Sequence, residues 1–241
     1  MNLVIDFGNT RIKAAVFENN RLSAHFVFNT AEELLGADVL NLPIRHCLIA
    51  SVTRQHEVVY EALAQKMQIR IFTNDCLLPL KNLYTSALTL GSDRLSASVG
   101  AYFYFPDKNV LTIDAGTCIK YNFVNAANDY LGGAISPGIP MRLHAMHAQT
   151  SALPSIEIDK TYQELIGTST RGSLLSGALV GAVCEIDGMI QRYQALYPDL
   201  QVVITGGDSD YLCSQLKSRF FADQFLILQG LHTILLHNIE K

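Results

Sequence analysis

The chain has 241 residues, of which 49% are hydrophobic and 17% charged, and its formal net charge is -4. This length allows one large or two modest domains with a sizeable core. The mild acidic charge argues against a basic nucleic-acid-binding surface, and no apolar run appears long enough to predict a bilayer-spanning segment.

The N-terminal part predicts three consecutive strands followed by alternating helices and strands. The first strands are expected at 3–6, 12–17 and 22–28, with Gly8-Asn9 and Asn19-Asn20 as the turns between them. The next segments are predicted to be, in order, a helix starting at Thr30, a strand at 47–52, a helix at 57–67, a strand at 69–72, a loop at 74–89 and a helix from Gly91 to about Tyr104.

The C-terminal part repeats this order after Pro106-Asp107, the best candidate for a domain boundary. Strands at 110–114 and 118–124 precede a third strand that runs into Gly132-Gly133. The remaining segments are predicted to be helices at 141–149 and 170–197, a strand at 202–204, a helix at 211–219, a short strand at 225–228 and a helix at 231–239. The pattern predicts an α/β fold with mixed sheets in two domains, 1–106 and 107–241.

Two short segments of the chain repeat one pattern. Residues 5–13 are IDFGNTRIK and residues 113–120 are IDAGTCIK, so the order Asp, Gly, Thr, Ile, Lys is kept with one residue missing from the second copy. A repeat offset by about half the chain indicates two related halves. Two such hairpins facing each other could grip a nucleoside triphosphate.

The residue types in the repeat suit phosphate binding. A glycine turn lets a phosphate approach the backbone because no Cβ blocks it, and the Thr117 hydroxyl and the turn N–H groups can donate to phosphate oxygens. The Asp114 carboxylate can hold a hydrated Mg²⁺. The sequence has neither a P-loop motif nor GxGxxG, and Gly206-Gly207 follows a later strand as a third glycine turn. Nucleotide binding through the paired hairpins is therefore predicted.

The start of the chain and its cysteines indicate the compartment. The first predicted strand follows Met1-Asn2 directly, without a charged leader, so no signal peptide is expected. The five cysteines have no CxxC spacing, and we predict buried free thiols in a reducing cytoplasm. They are Cys47, Cys76, Cys118, Cys184 and Cys213.

Six motifs resemble those of the type III pantothenate kinases, a family of the acetate kinase, sugar kinase, heat-shock ATPase and actin superfamily. They stand in the family's order along the whole chain: DFGNTRIK at 6–13, GSDR at 91–94, DAGT at 114–117, YLGGAISPG at 130–138, TSALP at 150–154 and TGG at 205–207. GSDR and LGGAISPG are the family-specific ones. The resemblance implies two ribonuclease H-like domains, each a mixed sheet with helices.

The resemblance also implies an activity, the ATP-dependent phosphorylation of the primary hydroxyl of pantothenate to 4'-phosphopantothenate, the first step of coenzyme A synthesis. The enzyme would be a phosphotransferase with an alcohol group as acceptor. Asp93 would be the general base, although an acid in the first turn of a helix is also favoured by the helix dipole. Arg94 would orient the substrate, the alternative being a weak surface ion pair.

Other positions are matched to substrate and nucleotide by the same resemblance. Tyr84 would line the pantothenate pocket or be a half-buried loop tyrosine, and Thr170 would contact pantothenate or cap a helix. Gly91 and Ser92 complete the substrate set. Asp6 and Asp114 would hold Mg²⁺. The nucleotide set comprises Asp6, Gly8, Asn9, Thr10, Lys13, Gly116, Thr117, Gly206 and Gly207, with an exposed strand residue as the alternative for Lys13.

The second hairpin departs from the family pattern. Many members carry an Asp there that helps to bind a monovalent cation, K⁺ or NH₄⁺, where this chain has Asn122, and Lys120 stands at a Thr position. We hypothesise that the Lys120 ammonium replaces the cation. The alternative is that Lys120 points to solvent and Asn122 still binds a cation weakly.

Small residues recur along the predicted helix 170–197: Ser173, Gly177, Gly181, Cys184 and Gly188. Glycine inside a helix costs about 1 kcal/mol relative to alanine, so this small-residue stripe needs a compensating close contact. Since the family is dimeric, a homodimer interface is expected, with an internal contact as the alternative. The functional alternatives are another small-molecule kinase of the superfamily or a non-catalytic nucleotide-binding regulator; neither nucleic acid nor membrane is expected as a partner.

Overall fold

The computed structural model describes residues 1–51, 56–73 and 75–239. Packing divides the chain into two units. Unit 1 comprises Met1–Asp107, Ala126–Leu131 and Phe225–Lys241, and unit 2 comprises Lys108–Asn125 and Gly132–Gln224. The division at 106/107 stays a prediction for the domains; in the packing, the C-terminal helix belongs with the N-terminal half.

The helices and strands follow in chain order. The strands are β1 Asn2–Phe7, β2 Ile12–Glu18, β3 Arg21–Phe28, β4 His46–Ser51, β5 Gln68–Ile71, β6 Lys81–Asn82, β7 Val110–Ala115, β8 Cys118–Val124, β9 Asp129–Pro137, β10 Gln201–Thr205 and β11 Phe221–Ala222. The α-helices are α1 Ala31–Leu35, α2 His56–Leu63, α3 Ser92–Tyr104, α4 Ile139–Ala148, α5 Thr170–Leu175, α6 Gly181–Leu196, α7 Ser209–Gln215 and α8 Leu226–Ile239. A π-helical segment, Ser176–Val180, joins α5 to α6.

The sheet of unit 1 has the order β3-β2-β1-β4-β5. β1 pairs antiparallel with β2 and parallel with β4, and β1 is buried from residue 3 onward. A strand that is buried on both faces requires a continuous apolar run, which LVI at 3–5 provides. Thr30 caps α1 by accepting the Glu33 N–H at 3.2 Å, as its sequence position predicted.

The helices α3 and α8 of unit 1 pack backbone to backbone. A Cβ on Gly100 would overlap the Leu226 carbonyl, and a Cβ on Gly230 would overlap the Ser96 carbonyl. This close approach explains why both helices contain glycine. A glycine inside a helix costs about 1 kcal/mol relative to alanine, and the close packing offsets that cost. The predicted strand at 225–228 is wrong, because α8 begins at Leu226 and the edge strand is β11. Short apolar runs do not distinguish strand from helix.

Unit 2 repeats the strand order of unit 1. Its strands are arranged β11-β10-β7-β8-β9, so the first strand of the unit, β7, lies between an antiparallel hairpin partner and a parallel strand, as β1 does in unit 1. The predicted relation between the two halves is therefore confirmed at the level of sheet topology. Within unit 1, the first two residues of β9 also pair with β6.

The long helix 170–196 supports the sheet of unit 2. Its buried residues recur at helical spacing, as in Leu175, Leu179, Ala182 and Ile186. The prediction that no apolar run is long enough to span a bilayer is wrong for this helix, which could cross a membrane by length and composition alone; 44% of its most apolar window is buried inside the protein. A single helix of this kind is weak evidence for a membrane span, because the core helix of a soluble protein passes the same test.

The five cysteines are all free, as predicted, but their burial differs. Cys47 and Cys76 are buried, Cys118 and Cys213 are partly exposed, and Cys184 is exposed on α6. The expectation of buried thiols is therefore wrong for Cys184. Its position on the small-residue stripe already indicates that the stripe does not face the core of unit 2.

Candidate active site

The first hairpin places Asp6 at the end of β1, directly across the ladder from Lys13 on β2. Its turn is closed by the Gly8 N–H, which donates to the Arg11 carbonyl at 3.1 Å. The Asp6 residue is 7% exposed, whereas Asn9 and Thr10 lie at the exposed tip. The hairpin therefore presents an almost buried carboxylate beside an accessible polar turn.

The second hairpin reproduces this arrangement in unit 2. Asp114 lies across the ladder from Lys120, and the Lys120 Nζ donates to Asp114 Oδ2 at 2.8 Å. Asp114 is also 7% exposed, whereas the Lys120 side chain is 23% exposed, so the ion pair is partly shielded from solvent. The sequence repeat thus corresponds to the same cross-strand Asp–Lys pair in both hairpins. The Lys120 ammonium is directed at the hairpin carboxylate, not away from it.

Two glycine-bearing segments enclose the turn formed by residues 115–117, which we call the DAGT turn. Gly206, with φ at +101°, lies against Ala115, where a Cβ would overlap the backbone, and the Asp208 N–H donates to the Ala115 carbonyl at 3.0 Å. Gly138 lies against the Gly116 and Thr117 carbonyls, and its N–H donates to the Thr117 carbonyl at 3.1 Å.

The DAGT turn nevertheless leaves room for a ligand. Cβ positions built on Gly116 and Gly207 meet no described atom within 4 Å, and Thr117 is exposed. The space at these glycines lets an anion approach the turn closely, but the Gly116 N–H is not available to it, because that group donates to the Cys118 carbonyl at 3.0 Å. The arrangement suits a phosphate that is bound by turn backbone and a threonine hydroxyl.

The carboxylates of the hairpins suit Mg²⁺ individually. Carboxylate oxygens are hard ligands, and Mg²⁺ in phosphate sites usually takes one or two of them. The Lys120 ammonium donates to Asp114 Oδ2, so this carboxylate would hold the ion while it remains paired with a lysine. Asn122 is different: it is fully buried, and its amide donates to Thr112 Oγ1 at 3.3 Å. Its side chain is therefore engaged inside the sheet.

The GSDR segment begins α3 in unit 1. Asp93 Oδ1 accepts the Arg94 N–H at 2.8 Å, and a Cβ on Gly91 would overlap that same carboxylate oxygen. Glycine at position 91 therefore makes space for the conformation of the Asp93 side chain. This steric role was not foreseen from the sequence, which predicted only that Gly91 belongs to the substrate set.

Arg94 and two tyrosines form a buried cluster beside Asp93. Arg94 is 6% exposed, and its guanidinium carbon lies 5.4 Å from the ring centroid of half-buried Tyr84. A surface ion pair is therefore not its role. The Tyr130 ring lies 6.0 Å from that of Tyr84, and its hydroxyl is hydrogen-bonded to Arg94. Burial raises the pKa of Tyr130 to about 12, so the phenol stays neutral at physiological pH.

Sequence reasoning missed the role of Tyr130. The residue opens the YLGGAISPG motif, but its partners Tyr84 and Arg94 lie more than 30 positions earlier.

Thr170 is exposed as the first residue of α5, and Ser169 is the N-cap, with its hydroxyl accepting the Gly172 N–H at 3.1 Å. The helix-cap interpretation of Thr170 is therefore wrong.

The candidate residues divide between the two units. Unit 1 contains the first hairpin together with the cluster of Tyr84, Asp93 and Arg94. Unit 2 contains Thr170, the second hairpin and the DAGT turn with the glycines that enclose it. Each unit therefore holds one Asp–Lys hairpin, whereas the substrate residues of the GSDR segment all belong to unit 1.

Comparisons with known proteins agree with these features. The family model for type III pantothenate kinase matches residues 2–192. Type III pantothenate kinases from Christiangramia forsetii and Flavobacterium johnsoniae are 42% and 36% identical to the chain; the first alignment covers 99% of both chains and the second 100% of both.

Solved structures show the same fold at low identity. A Baf family transcriptional activator from Campylobacter jejuni has a TM-score of 0.64 at 18% identity and covers 99% of this chain and 100% of its own. A ROK hexokinase from Thermus thermophilus has a TM-score of 0.52 at 12% identity, with 99% and 98% coverage. The predicted mixed α/β architecture is confirmed, and the chain belongs to the type III pantothenate kinase family.

Proposed function

We propose that the protein transfers the γ-phosphoryl group of ATP to the primary hydroxyl of pantothenate, forming 4'-phosphopantothenate in coenzyme A synthesis. The observation that carries this proposal is the cluster in unit 1, where buried Arg94 follows half-buried Asp93 in α3 and its side chain contacts Tyr84 and Tyr130. Pantothenate carries both a carboxylate and a primary hydroxyl. Arg94 matches the first chemically and Asp93 the second.

The proposed mechanism relies on positioning and charge. Phosphoryl transfer requires little covalent chemistry from the protein. The Asp93 carboxylate accepts the proton of the attacking hydroxyl, while Arg94, held by Tyr84 and Tyr130, orients the acid. The DAGT turn admits phosphate oxygens close to its backbone, where the exposed Thr117 hydroxyl donates to them. Asp6 in unit 1 and Asp114 in unit 2 each offer a carboxylate that would hold Mg²⁺, and the ion would neutralise charge on the phosphates when bound.

Two ammonium groups add to this electrostatic stabilisation. Lys13 and Lys120 occupy equivalent positions opposite the two hairpin aspartates. A compact positive charge beside a phosphoryl group stabilises negative charge that builds up during transfer. We propose that Lys120 supplies the charge that K⁺ or NH₄⁺ supplies in other members of the family. Its 2.8 Å ion pair with Asp114 supports this proposal.

The assembly and location are proposed to be a homodimer in the cytoplasm, acting on a small molecule and on neither nucleic acid nor membrane. The outward-facing small-residue stripe supports dimerisation. Cβ positions on Gly177 and Gly188 meet no described atom within 4 Å, and Cys184 is exposed. Contacts within the described part of the chain therefore do not explain the stripe at these two glycines.

The proposed function is tested by measuring ATP-dependent product formation, by mass spectrometry, over pantothenate, a panel of sugars and short hydroxy acids. Phosphorylation of pantothenate alone, at its primary hydroxyl, is expected. A preference for a sugar or a short acid would favour another kinase of the superfamily. Nucleotide binding without turnover on any substrate would favour a non-catalytic regulator.

A further inference from the structure

Glu185 lies on α6 in unit 2 and accepts hydrogen bonds from three side chains of other elements. The Tyr121 hydroxyl on β8 donates at 2.9 Å, the Ser136 hydroxyl on β9 donates at 2.5 Å, and the guanidinium of Arg142 on α4 forms an ion pair with the other carboxylate oxygen. One carboxylate therefore ties a helix to two strands and to the start of a second helix.

These contacts keep Glu185 charged in a partly buried place. Partial burial alone raises the pKa of the carboxyl, but hydrogen bonds from Ser136, Arg142 and Tyr121 outweigh it and leave the pKa below its ordinary value. The Tyr121 phenol has a raised pKa, chiefly from burial and then from the Glu185 charge, so it remains a donor. The network is thus a carboxylate with neutral and cationic donors at neutral pH.

The same network reaches the DAGT turn through one short segment. Besides its ion pair, Arg142 donates from Nε to the Pro137 carbonyl at 2.9 Å. Gly138 follows directly, packs on the Gly116 and Thr117 carbonyls, and donates its N–H to Thr117. Glu185 therefore fixes residues 136–138 through Ser136 and Arg142, and Gly138 in turn packs against the DAGT turn. None of these groups needs to touch a ligand for the effect to reach it.

We propose that Glu185 is a positioning residue for nucleotide binding, which acts through Arg142 and the Ser136–Gly138 segment on the DAGT turn. Removing its charge would leave the Arg142 guanidinium without its counterion and free the segment to shift. A displacement of about 1 Å in a positioned group can reduce the reaction rate by up to about 100-fold. This inference rests on the proposed function only in assigning the DAGT turn to nucleotide.

The test compares Glu185→Gln with Asp187→Asn, a matched control on the same helix. Asp187 accepts from the Ser218 backbone and hydroxyl and from the Lys217 N–H, away from the DAGT turn. Binding of ADP and of a non-hydrolysable ATP analogue is measured by calorimetry. The KM values for ATP and pantothenate are measured in parallel. We expect roughly 10-fold weaker nucleotide binding for Glu185→Gln, of the order that follows from losing a charge-assisted hydrogen bond, with little change in the KM for pantothenate, and wild-type nucleotide binding for Asp187→Asn.

Equal nucleotide affinity in Glu185→Gln and wild type would overturn the inference, as would equal losses for ATP and pantothenate. Tyr121→Phe serves as a milder variant if Glu185→Gln does not fold, because it removes one hydroxyl from the network; it should weaken nucleotide binding measurably, and unchanged binding would also count against the proposal. Calorimetry needs no turnover. A wild-type protein that binds nucleotide but does not phosphorylate pantothenate would refute the proposed function and leave this test intact.

Discussion

At the scale of single residues, the assignment of Asp93 as general base leads to a direct prediction. Asp93→Asn keeps the size of the side chain but cannot accept a proton. General-base catalysis is typically worth about 10²- to 10⁴-fold, so kcat should fall by that factor while the thermal midpoint stays near that of wild type. Asp38→Asn, an exposed aspartate on a short turn, is the control. Near-wild-type turnover of Asp93→Asn at saturating substrate would refute the assignment.

Gly91 provides a second prediction about the same carboxylate. Because a Cβ at position 91 would overlap Asp93 Oδ1, Gly91→Ala should rotate the carboxylate without removing it. We expect a lower kcat with an intact fold, measured by steady-state kinetics and circular dichroism. The effect should largely disappear in the Asp93→Asn background, since the base is already lost there. Additive losses in the double variant would contradict this explanation.

Lys120 leads to a prediction about cation dependence. Turnover is measured with choline as the sole added monovalent cation and then with K⁺ or NH₄⁺ at equal ionic strength. If the Lys120 ammonium replaces the cation, wild type should show little activation, and Lys120→Ala should lose activity that K⁺ partly restores. Strong activation of wild type by K⁺ or NH₄⁺ would show that the ammonium does not replace the cation.

These residues differ in how far the sequence could predict them. The Asp–Lys register was predictable, because both members lie within one hairpin and the pattern occurs twice. The contacts of Glu185 were not, since Tyr121 precedes it by 64 positions and the pairing depends on how a helix packs on a sheet. Local motifs identify residues that lie together within one hairpin. Contacts between residues that are remote in sequence become visible only in the folded structure.

At the scale of elements, the small-residue stripe predicts an effect of size on assembly. Gly177→Leu adds a side chain where the chain itself leaves space, so it should fold but wedge apart a partner helix. Overpacking costs roughly 1–3 kcal/mol, enough to shift a dimer towards monomer. Sedimentation velocity measures the shift, with Glu61→Leu on the exposed face of α2 as the control. A Gly177→Leu variant that dimerises like wild type would exclude the stripe from the interface.

The elements also show where periodicity fails as a guide. Most strands were predicted within one or two residues, because their apolar runs end at glycine or polar turns. The segment 225–228 was misassigned as a strand because its helical partner, α3, is remote in sequence. Gly230, which falls between the strand and the helix predicted there, lies inside α8 and permits the close contact with α3. Tertiary packing overrode local propensity there.

At the scale of the whole molecule, His232 links stability to pH. It is 1% exposed on α8, its ring is stacked on Phe17 at 3.9 Å, and Nε2 lies 3.3 Å from the side-chain amide of Asn2. Asn2 in turn lies 3.3 Å from the His46 ring, so the neighbourhood is polar but offers His232 no carboxylate in these contacts. Burial lowers the pKa of His232 to about 4 from an ordinary 6.5.

The sign of the effect follows from which state binds the proton first. As the pH falls below 6.5, the unfolded chain protonates this histidine while the folded protein does not, so the free energy of unfolding decreases until the pH reaches about 4. At about 1.4 kcal/mol per pKa unit, the loss is roughly 3 kcal/mol.

Since the chain has no tryptophan, urea unfolding is followed by circular dichroism between pH 7 and 4. His232→Gln should be less stable at pH 7 but lose less stability on acidification, whereas His25→Gln, at an exposed position, should keep the wild-type slope. If the free energy of unfolding falls equally steeply with pH in wild type and in His232→Gln, other groups govern acid unfolding.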